Sequence, residues 1–171
     1  MKFTISLILF IVCHTILSAQ DNFKITESLR EIENESFKGL MINDSLLIPL
    51  LFEYKKHANN IGMKADQLFD DLYWIIIEPE SNTPSEFKGL ELGKVDIPKK
   101  MILLSRYCKL DRTILQATLF RELHHFFGVP YTDKGGGIMS RIKPEGYSYA
   151  WLDDPVIREI ELSKFFNLLK N

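Results

Sequence analysis

The residues with the clearest chemical potential are Glu122, His125 and Gly128, within the segment from Arg121 to Tyr131. An imidazole nitrogen is a common metal ligand, and a nearby carboxylate can accept a proton from a metal-bound water. On a helix, positions 121 and 125 are one turn apart and share a face, so side chains at both can approach one ion. Gly128 permits the turn that ends the helix and returns the chain toward that face. The spacing therefore indicates a metal-dependent hydrolytic site.

Three of these positions follow the zinc-peptidase pattern H-E-x-x-H-x-x-G-x-x-H, and Ile138-Met139-Ser140 falls where a Met-turn belongs. Over residues 117–140 the chain resembles the metzincin superfamily of zinc peptidases, and more loosely small secreted bacterial metallopeptidase-like proteins. The resemblance implies an α+β fold with a small mixed sheet, an N-terminal helix, a motif helix and a C-terminal helix. It also implies that Glu122 is the general base of an active relative and that His125 is one zinc ligand.

Two of the three histidine ligands in that pattern are replaced, by Arg121 at the first position and Tyr131 at the third. A guanidinium has no lone pair for a metal, and at 4 Å in an effective dielectric near 20 its repulsion from a dication is at most about 8 kcal/mol. Losing two ligands of four removes on the order of 5–8 kcal/mol of zinc-binding free energy. The sequence therefore predicts no bound cofactor, with zinc expected only if the site is functional.

Other side chains offer incomplete substitutes for the missing ligands. His124 lies about 100° around the helix from His125, so the two cannot face one ion from a regular helix. Tyr131 ligates only as a phenolate, and phenols ionise near pH 10. Asp133, in a glycine-rich loop, can reach inward, so an unusual ligand set remains an alternative. The residues predicted to line the cleft around His125 are Arg121, His124, Tyr131 and Met139.

Composition indicates one globular domain. A chain of 171 residues with 46% hydrophobic and 12% aromatic content can bury one sizeable core and has no room for a second large domain. The formal net charge is -2, and no basic cluster exceeds short pairs such as Lys99-Lys100. We therefore expect no nucleic-acid partner.

Residues 1–19 have the features of a signal peptide. Lys2 supplies the positive charge, residues 5–12 are apolar, and Ala19 is a small residue before polar sequence. We predict cleavage after Ala19, a secreted or periplasmic location, and no membrane contact after cleavage. An uncleaved membrane anchor is the alternative.

The two cysteines carry separate predictions. Cys13 lies in the apolar segment and offers an alternative as a lipidation site, which the bulky Val12 before it disfavours. Cleavage after residue 19 leaves Cys108 as the only cysteine of the mature chain. It cannot then form an internal disulfide, and we expect a thiol buried in or beside a strand.

Periodicity and capping residues divide the rest of the chain into elements. After an N-terminal segment over 20–43, which can belong to the domain and in which Thr26 can cap a short helix to about Glu33 without strong periodicity, the main domain is predicted over 44–171. Its elements are a helix from Asp44 to Asn60, strands over 72–77, 87–95 and 101–104, a motif helix capped by Asp111 that runs from Arg112 to about Phe127, and a last helix starting at Asp153-Asp154-Pro155.

These observations together predict an exported metallopeptidase-like protein that has lost its zinc site and its catalysis and binds a peptide or protein partner. Two alternatives remain. One is an active zinc-dependent peptidase with an unusual ligand set, and the other is a structural envelope protein that uses the fold as a scaffold. The sequence does not predict an oligomeric state.

Overall fold

The computed structural model has a mixed α+β architecture, as predicted, with helices packed on a small sheet. It describes residues 29–32, 37–80, 85, 87, 91–130, 139 and 155–170. The predicted signal peptide, Tyr131, Asp133 and the glycine-rich loop lie outside the described residues. Within those ranges, no helix combines the length and apolar composition needed to span a membrane.

Five short strands form one mixed sheet within the described part of the chain. They are β1 (Arg30–Glu31), β2 (Met41–Ile42), β3 (Trp74–Ile77), β4 (Gly93–Asp96) and β5 (Met101–Leu104). Their order is β1-β2-β3-β5-β4, with β2, β3 and β5 parallel and with β1 and β4 antiparallel to their neighbours. The register pairs Trp74 with Met101, Ile77 with Leu104 and Gly93 with Leu104. β4 is therefore an antiparallel edge strand beside a parallel centre.

Four α-helices accompany the sheet in the same ranges. They are α1 (Leu47–Asn60), α2 (Ala65–Leu68), α3 (Arg112–Phe126) and α4 (Pro155–Asn167), with 3₁₀ helices at Arg106–Leu110 and Leu168–Lys170. The Asp111 carboxylate accepts hydrogen bonds from the backbone N–H groups of Thr113 and Ile114, at 2.7 and 3.4 Å. These bonds satisfy donors that the first turn leaves without helical partners, so α3 begins where the sequence predicts.

The predicted elements are found with shifts at their ends. The strand over 101–104 is confirmed at both ends, whereas those predicted over 72–77 and 87–95 are the shorter β3 and β4. The helix predicted from Thr26 to Glu33 is wrong in its described part, because Arg30 and Glu31 pair with β2. Strands of two residues, such as β1 and β2, carry too little alternation to be detected in a sequence.

The main core lies between one face of the sheet and the helices. Ile75 and Ile77 of β3 and Ile102 and Leu104 of β5 belong to this cluster, whereas the intervening Ile76 and Leu103 belong to a smaller one on the opposite face. The alternation follows from the period of two in a strand. Phe37, Leu40 and Ile42 are also in the main core, so residues before Asp44 contribute to the folded domain.

A polar network ties three helices to one another beside this core. Glu53 Oε1 on α1 accepts hydrogen bonds from Gln116 Nε2 on α3, at 2.6 Å, and from Arg158 Nη2 on α4, at 2.7 Å. A carboxylate can accept several bonds, so one side chain can hold both neighbours. α1 and α4 are thereby attached to the motif helix.

Candidate functional site

The last turns of α3 carry the predicted site, and Gly128 ends the helix. The backbone N–H of Gly128 donates to the His125 carbonyl at 3.1 Å, and that of Val129 donates to the His124 carbonyl at 2.9 Å. Gly128 has a φ of +93°, which residues with a Cβ rarely adopt. The chain therefore turns away from the helix axis directly after the pattern residues, as the sequence predicts.

Glu122 is fully enclosed by protein. Its residue exposure is 0%, and its Oε1 accepts a hydrogen bond from Arg121 Nε at 2.8 Å. Neighbouring side chains on a helix point about 100° apart, so only a long side chain such as arginine can fold back to make this pair. The arginine side chain itself is 20% exposed. A buried carboxylate is thus neutralised by the residue that replaces the first zinc ligand.

Gly93 on the edge strand covers the carboxylate. A Cβ added at Gly93 would lie 2.7 Å from Glu122 Cγ and 3.0 Å from Thr118 Cγ2, closer than side chains normally approach. The missing side chain therefore allows the β4 backbone to rest directly on α3. We refer to Gly93, Cys108, Thr118, Arg121 and Glu122 as the edge-strand site.

Cys108 lies at the inner side of this site, in the 3₁₀ helix after β5. Cys108 is buried, and its thiol donates to the carbonyl of Leu92, the residue before β4, at 3.3 Å. Burial raises the pKa of the Cys108 thiol, although a hydrogen bond with Thr118 and the charge of Arg121 act in the opposite direction. A buried thiol with a raised pKa is a weak nucleophile, which fits the predicted buried cysteine beside a strand.

His124, predicted as a cleft residue, is enclosed in the hydrophobic core. Its ring is 0% exposed and stacks on Phe165 of α4, with centroids 3.5 Å apart. Its Nε2 lies 3.0 Å from the Phe165 carbonyl, and its Nδ1 lies 2.9 Å from the Tyr54 hydroxyl. Helical geometry contributes to this position, since residue 124 points about 100° around the helix from residue 125.

These two contacts fix the protonation state of His124. A carbonyl only accepts, so Nε2 carries the proton and donates it, and Nδ1 accepts from the Tyr54 hydroxyl. Burial lowers the pKa of His124 to about 3, despite the opposing bond to the Phe165 carbonyl. Burial also raises the pKa of Tyr54 well above its ordinary value. Both groups are therefore neutral at pH 7 and hold the core together through their hydrogen bonds.

Of the two adjacent histidines, His125 lies nearer the protein surface. It is half-buried at the end of α3, and its Nδ1 lies 3.2 Å from the Val129 carbonyl. Since a carbonyl accepts, this bond places a proton on Nδ1, as second-shell bonds often do for metal-binding histidines. His125 therefore has an orientation that suits a ligand, but its described neighbours do not complete a set.

The described residues contain no group of three or more histidine, cysteine, aspartate or glutamate side chains that could hold a metal ion. Met139, predicted as a cleft residue, is 3% exposed and belongs to the main core. Tyr131 and Asp133 lie outside the described ranges. On the described side chains alone, the residues present do not fit a zinc ion.

The enclosure of Glu122 bears on whether it can act as a general base. A general base must reach a water molecule, and Glu122 is closed off by the Gly93 backbone while its Oε1 binds a guanidinium. In this conformation the carboxylate stabilises structure and has no access to a substrate. Arg121 and His125, in contrast, are both partly exposed on the same helix face.

Sequence reasoning misses two parts of this region. Gly93 gives no motif signal, although an isolated glycine in a strand is a known sign of close backbone approach. Tyr54 and Phe165 lie in predicted helices, but their polar contacts with His124 carry no local signal. Comparison of the chain with protein-family models, with curated proteins and with solved structures found no significant match.

Proposed function

We propose that this chain is an exported, metzincin-like protein that no longer binds zinc or cleaves peptides and instead binds an extended peptide. The observation that carries the proposal is the fully buried Glu122, paired with Arg121 where the pattern has a zinc ligand. The remaining functional surface is then the metal-free region where the motif helix meets the edge strand.

The loss of catalysis follows from the charges. In an active relative, zinc would polarise a water molecule and the residue at Glu122 would take its proton. Here the Arg121 guanidinium supplies the positive charge that a buried carboxylate requires. A dication at the same place would be repelled by that guanidinium and would have to displace it from Glu122.

The case for peptide binding rests on the edge strand. β4 pairs with β5 and has no second partner strand among the described residues. A peptide can add to such an edge through backbone hydrogen bonds, and alternate side chains then enter neighbouring pockets. Because Gly93 brings β4 directly onto α3, a peptide on this edge would pass beside the edge-strand site.

Metal analysis of the purified mature domain is the first test. After dialysis against a weak chelator we expect far less than one zinc per chain, no cleavage of a mixed peptide pool, and a melting temperature that a strong chelator does not change. Near-stoichiometric zinc with chelator-sensitive cleavage would establish the alternative of an active peptidase with an unusual ligand set.

Binding of peptides is the second test. Fluorescein-labelled random octapeptides should show saturable anisotropy changes with the mature domain, and Val95→Pro, which disrupts pairing at the edge strand, should abolish them. The matched control is Val95→Ala, which shortens the same side chain but keeps the backbone N–H group and should retain binding. Circular dichroism establishes that both variants are folded. No binding by the parent would favour the structural envelope protein.

A gain-of-function variant provides a sharper test of descent. Arg121→His with Tyr131→His should raise zinc affinity by several orders of magnitude, because His125 is already one turn from position 121 and Gly128 already turns the chain. Either change alone should bind zinc weakly. A folded double variant that binds zinc no better than the parent, in competition with a chromogenic chelator, would contradict convergence of residues 121, 125 and 131.

A further inference from the structure

Among the described residues, the Arg121 guanidinium is engaged on only one of its two hydrogen-bonding edges. Nε donates to Glu122 Oε1, and no hydrogen bond from Nη1 or Nη2 to a described residue accompanies it. Glu122 is completely buried, whereas the arginine side chain is 20% exposed. The arginine side chain is therefore partly accessible to solvent while its Nε is bound to an enclosed carboxylate.

The outer end of this guanidinium has the geometry of a carboxylate receptor. Arginine presents five N–H donors in a rigid plane, and its terminal pair of nitrogen atoms can bind two oxygen atoms of one carboxylate while Nε is occupied elsewhere. The bond to Glu122 holds the plane in place, which reduces the entropy lost on binding. Since Glu122 already carries one negative charge, a monoanion fits better than a phosphate dianion.

The guanidinium also lies in the path of the proposed peptide. Glu122 is in contact with Arg121 on one side and with the Gly93 position of β4 on the other. One carboxyl group thus separates the guanidinium from the edge strand. We therefore expect a carboxylate on a peptide that pairs with β4 near Gly93 to lie close to this guanidinium.

We propose that Arg121 is the specificity-determining residue of the edge-strand site and binds a carboxylate of the bound peptide with the outer end of its guanidinium. This inference rests on the proposed peptide-binding function and adds a substrate class to it, peptides with an anionic group at one position. The carboxylate comes either from a peptide C-terminus or from an aspartate or glutamate side chain.

The experiment uses the mature protein and three fluorescein-labelled penta-alanine peptides. One has a free C-terminal carboxylate, the second is its C-terminal amide, and the third is an amide with glutamate at its central position. We expect the neutral amide to bind at least about tenfold more weakly than one of the two anionic peptides, as for loss of one charge-assisted bond. Whichever anionic peptide binds more tightly identifies the source of the carboxylate.

Variants then assign the preference to this side chain. Arg121→Gln should remove it, and Arg121→Lys should reduce it to a few-fold, because lysine keeps the charge and the counterion for Glu122 but lacks the fork. Arg112→Gln, at an exposed cation on the same helix, should leave it unchanged. If Arg121→Gln does not fold, the lysine variant decides the question alone.

The outcomes separate this inference from the function on which it rests. Equal affinity of the three peptides for the parent, or a preference that persists in Arg121→Lys at full size, overturns the role of Arg121 and leaves peptide binding intact. Absence of binding by all three, and by the random octapeptides, overturns both.

Discussion

Two buried polar groups on the same helix, His124 and Glu122, are stabilised in opposite ways. His124 is neutral, and both ring nitrogens have hydrogen-bond partners within the core. Glu122 is a carboxylate whose charge is balanced by Arg121, a side chain that reaches the surface. The comparison shows that α3 has a closed side, where His124 is enclosed in the core, and a charged side, where the Arg121 side chain is partly exposed to solvent. Of these two sides, the second is the one that offers a ligand a group to bind.

Replacing His124 should have the largest effect, because it disrupts the closed side. His124→Ala removes a ring stacked on Phe165 and leaves the Tyr54 hydroxyl and the Phe165 carbonyl without this partner. We expect a loss of about 3–5 kcal/mol in the free energy of unfolding, measured with urea. His125→Ala, one residue away and half-buried, should cost about 1 kcal/mol or less. Equal losses would remove the distinction between the two sides.

Lowering the pH should have the next largest effect, because it reduces the contribution of His124 to the free energy of unfolding. The unfolded chain protonates His124 near pH 6.5, whereas the folded chain does so only near its lowered pKa of about 3. The contribution of His124 to stability is therefore complete above pH 6.5 and falls by about 1.4 kcal/mol per pH unit as the pH drops from 6 to 4. His124→Gln, which can offer one donor and one acceptor, should flatten this slope relative to the parent. A slope identical in both proteins would contradict the assignment.

Breaking the charged side should have a somewhat smaller effect. Arg121→Gln removes the ion pair with the buried Glu122 carboxylate, and we expect a loss of roughly 2–3 kcal/mol, reduced from the value for a fully buried pair by the exposure of the arginine. Adding Glu122→Gln should recover most of the loss, because no buried charge then remains. Additive losses in the double variant would show that the two side chains are not coupled.

The smallest of these effects concerns the contact between strand and helix. Gly93→Ala places a methyl group against Glu122 and Thr118, and we expect about 1–3 kcal/mol of destabilisation from overpacking. The penalty should be smaller in a Glu122→Ala background, where the nearest contacting atoms are absent and only the contact with Thr118 remains. A full penalty in that background would assign the strain to Thr118 or the backbone and not to Glu122.

Some of this organisation follows from local sequence. The apolar run of β5 and the Asp111 cap are sufficient to predict β5 and α3, because both signals lie within a few residues of the element they define. The 100° step between neighbouring helical residues likewise separates His124 from the face of residues 121 and 125. Local signals do not identify the partner that each of these faces meets.

Those partners are distant in the chain. Tyr54 and His124 are separated by 70 positions, and Phe165 follows 41 positions after His124. The approach of Gly93 to Glu122 likewise depends on how β4 joins β5. Such contacts are set by packing, and a residue type alone does not reveal them. The sequence therefore predicts Arg121 as a cleft residue and an obstacle to metal, whereas its pairing with the enclosed Glu122 depends on the fold.

The pairing of Arg121 with Glu122 also bears on how reversible the proposed loss of zinc would be. A mutation of residue 121 back to histidine removes a competitor of the metal, but it also removes the ion pair with the enclosed Glu122. With the third ligand position occupied by Tyr131, no single substitution restores all three ligands. A route back to a zinc enzyme that begins at residue 121 thus passes through a less stable protein, and the ion pair would favour the metal-free state in descendants of this chain.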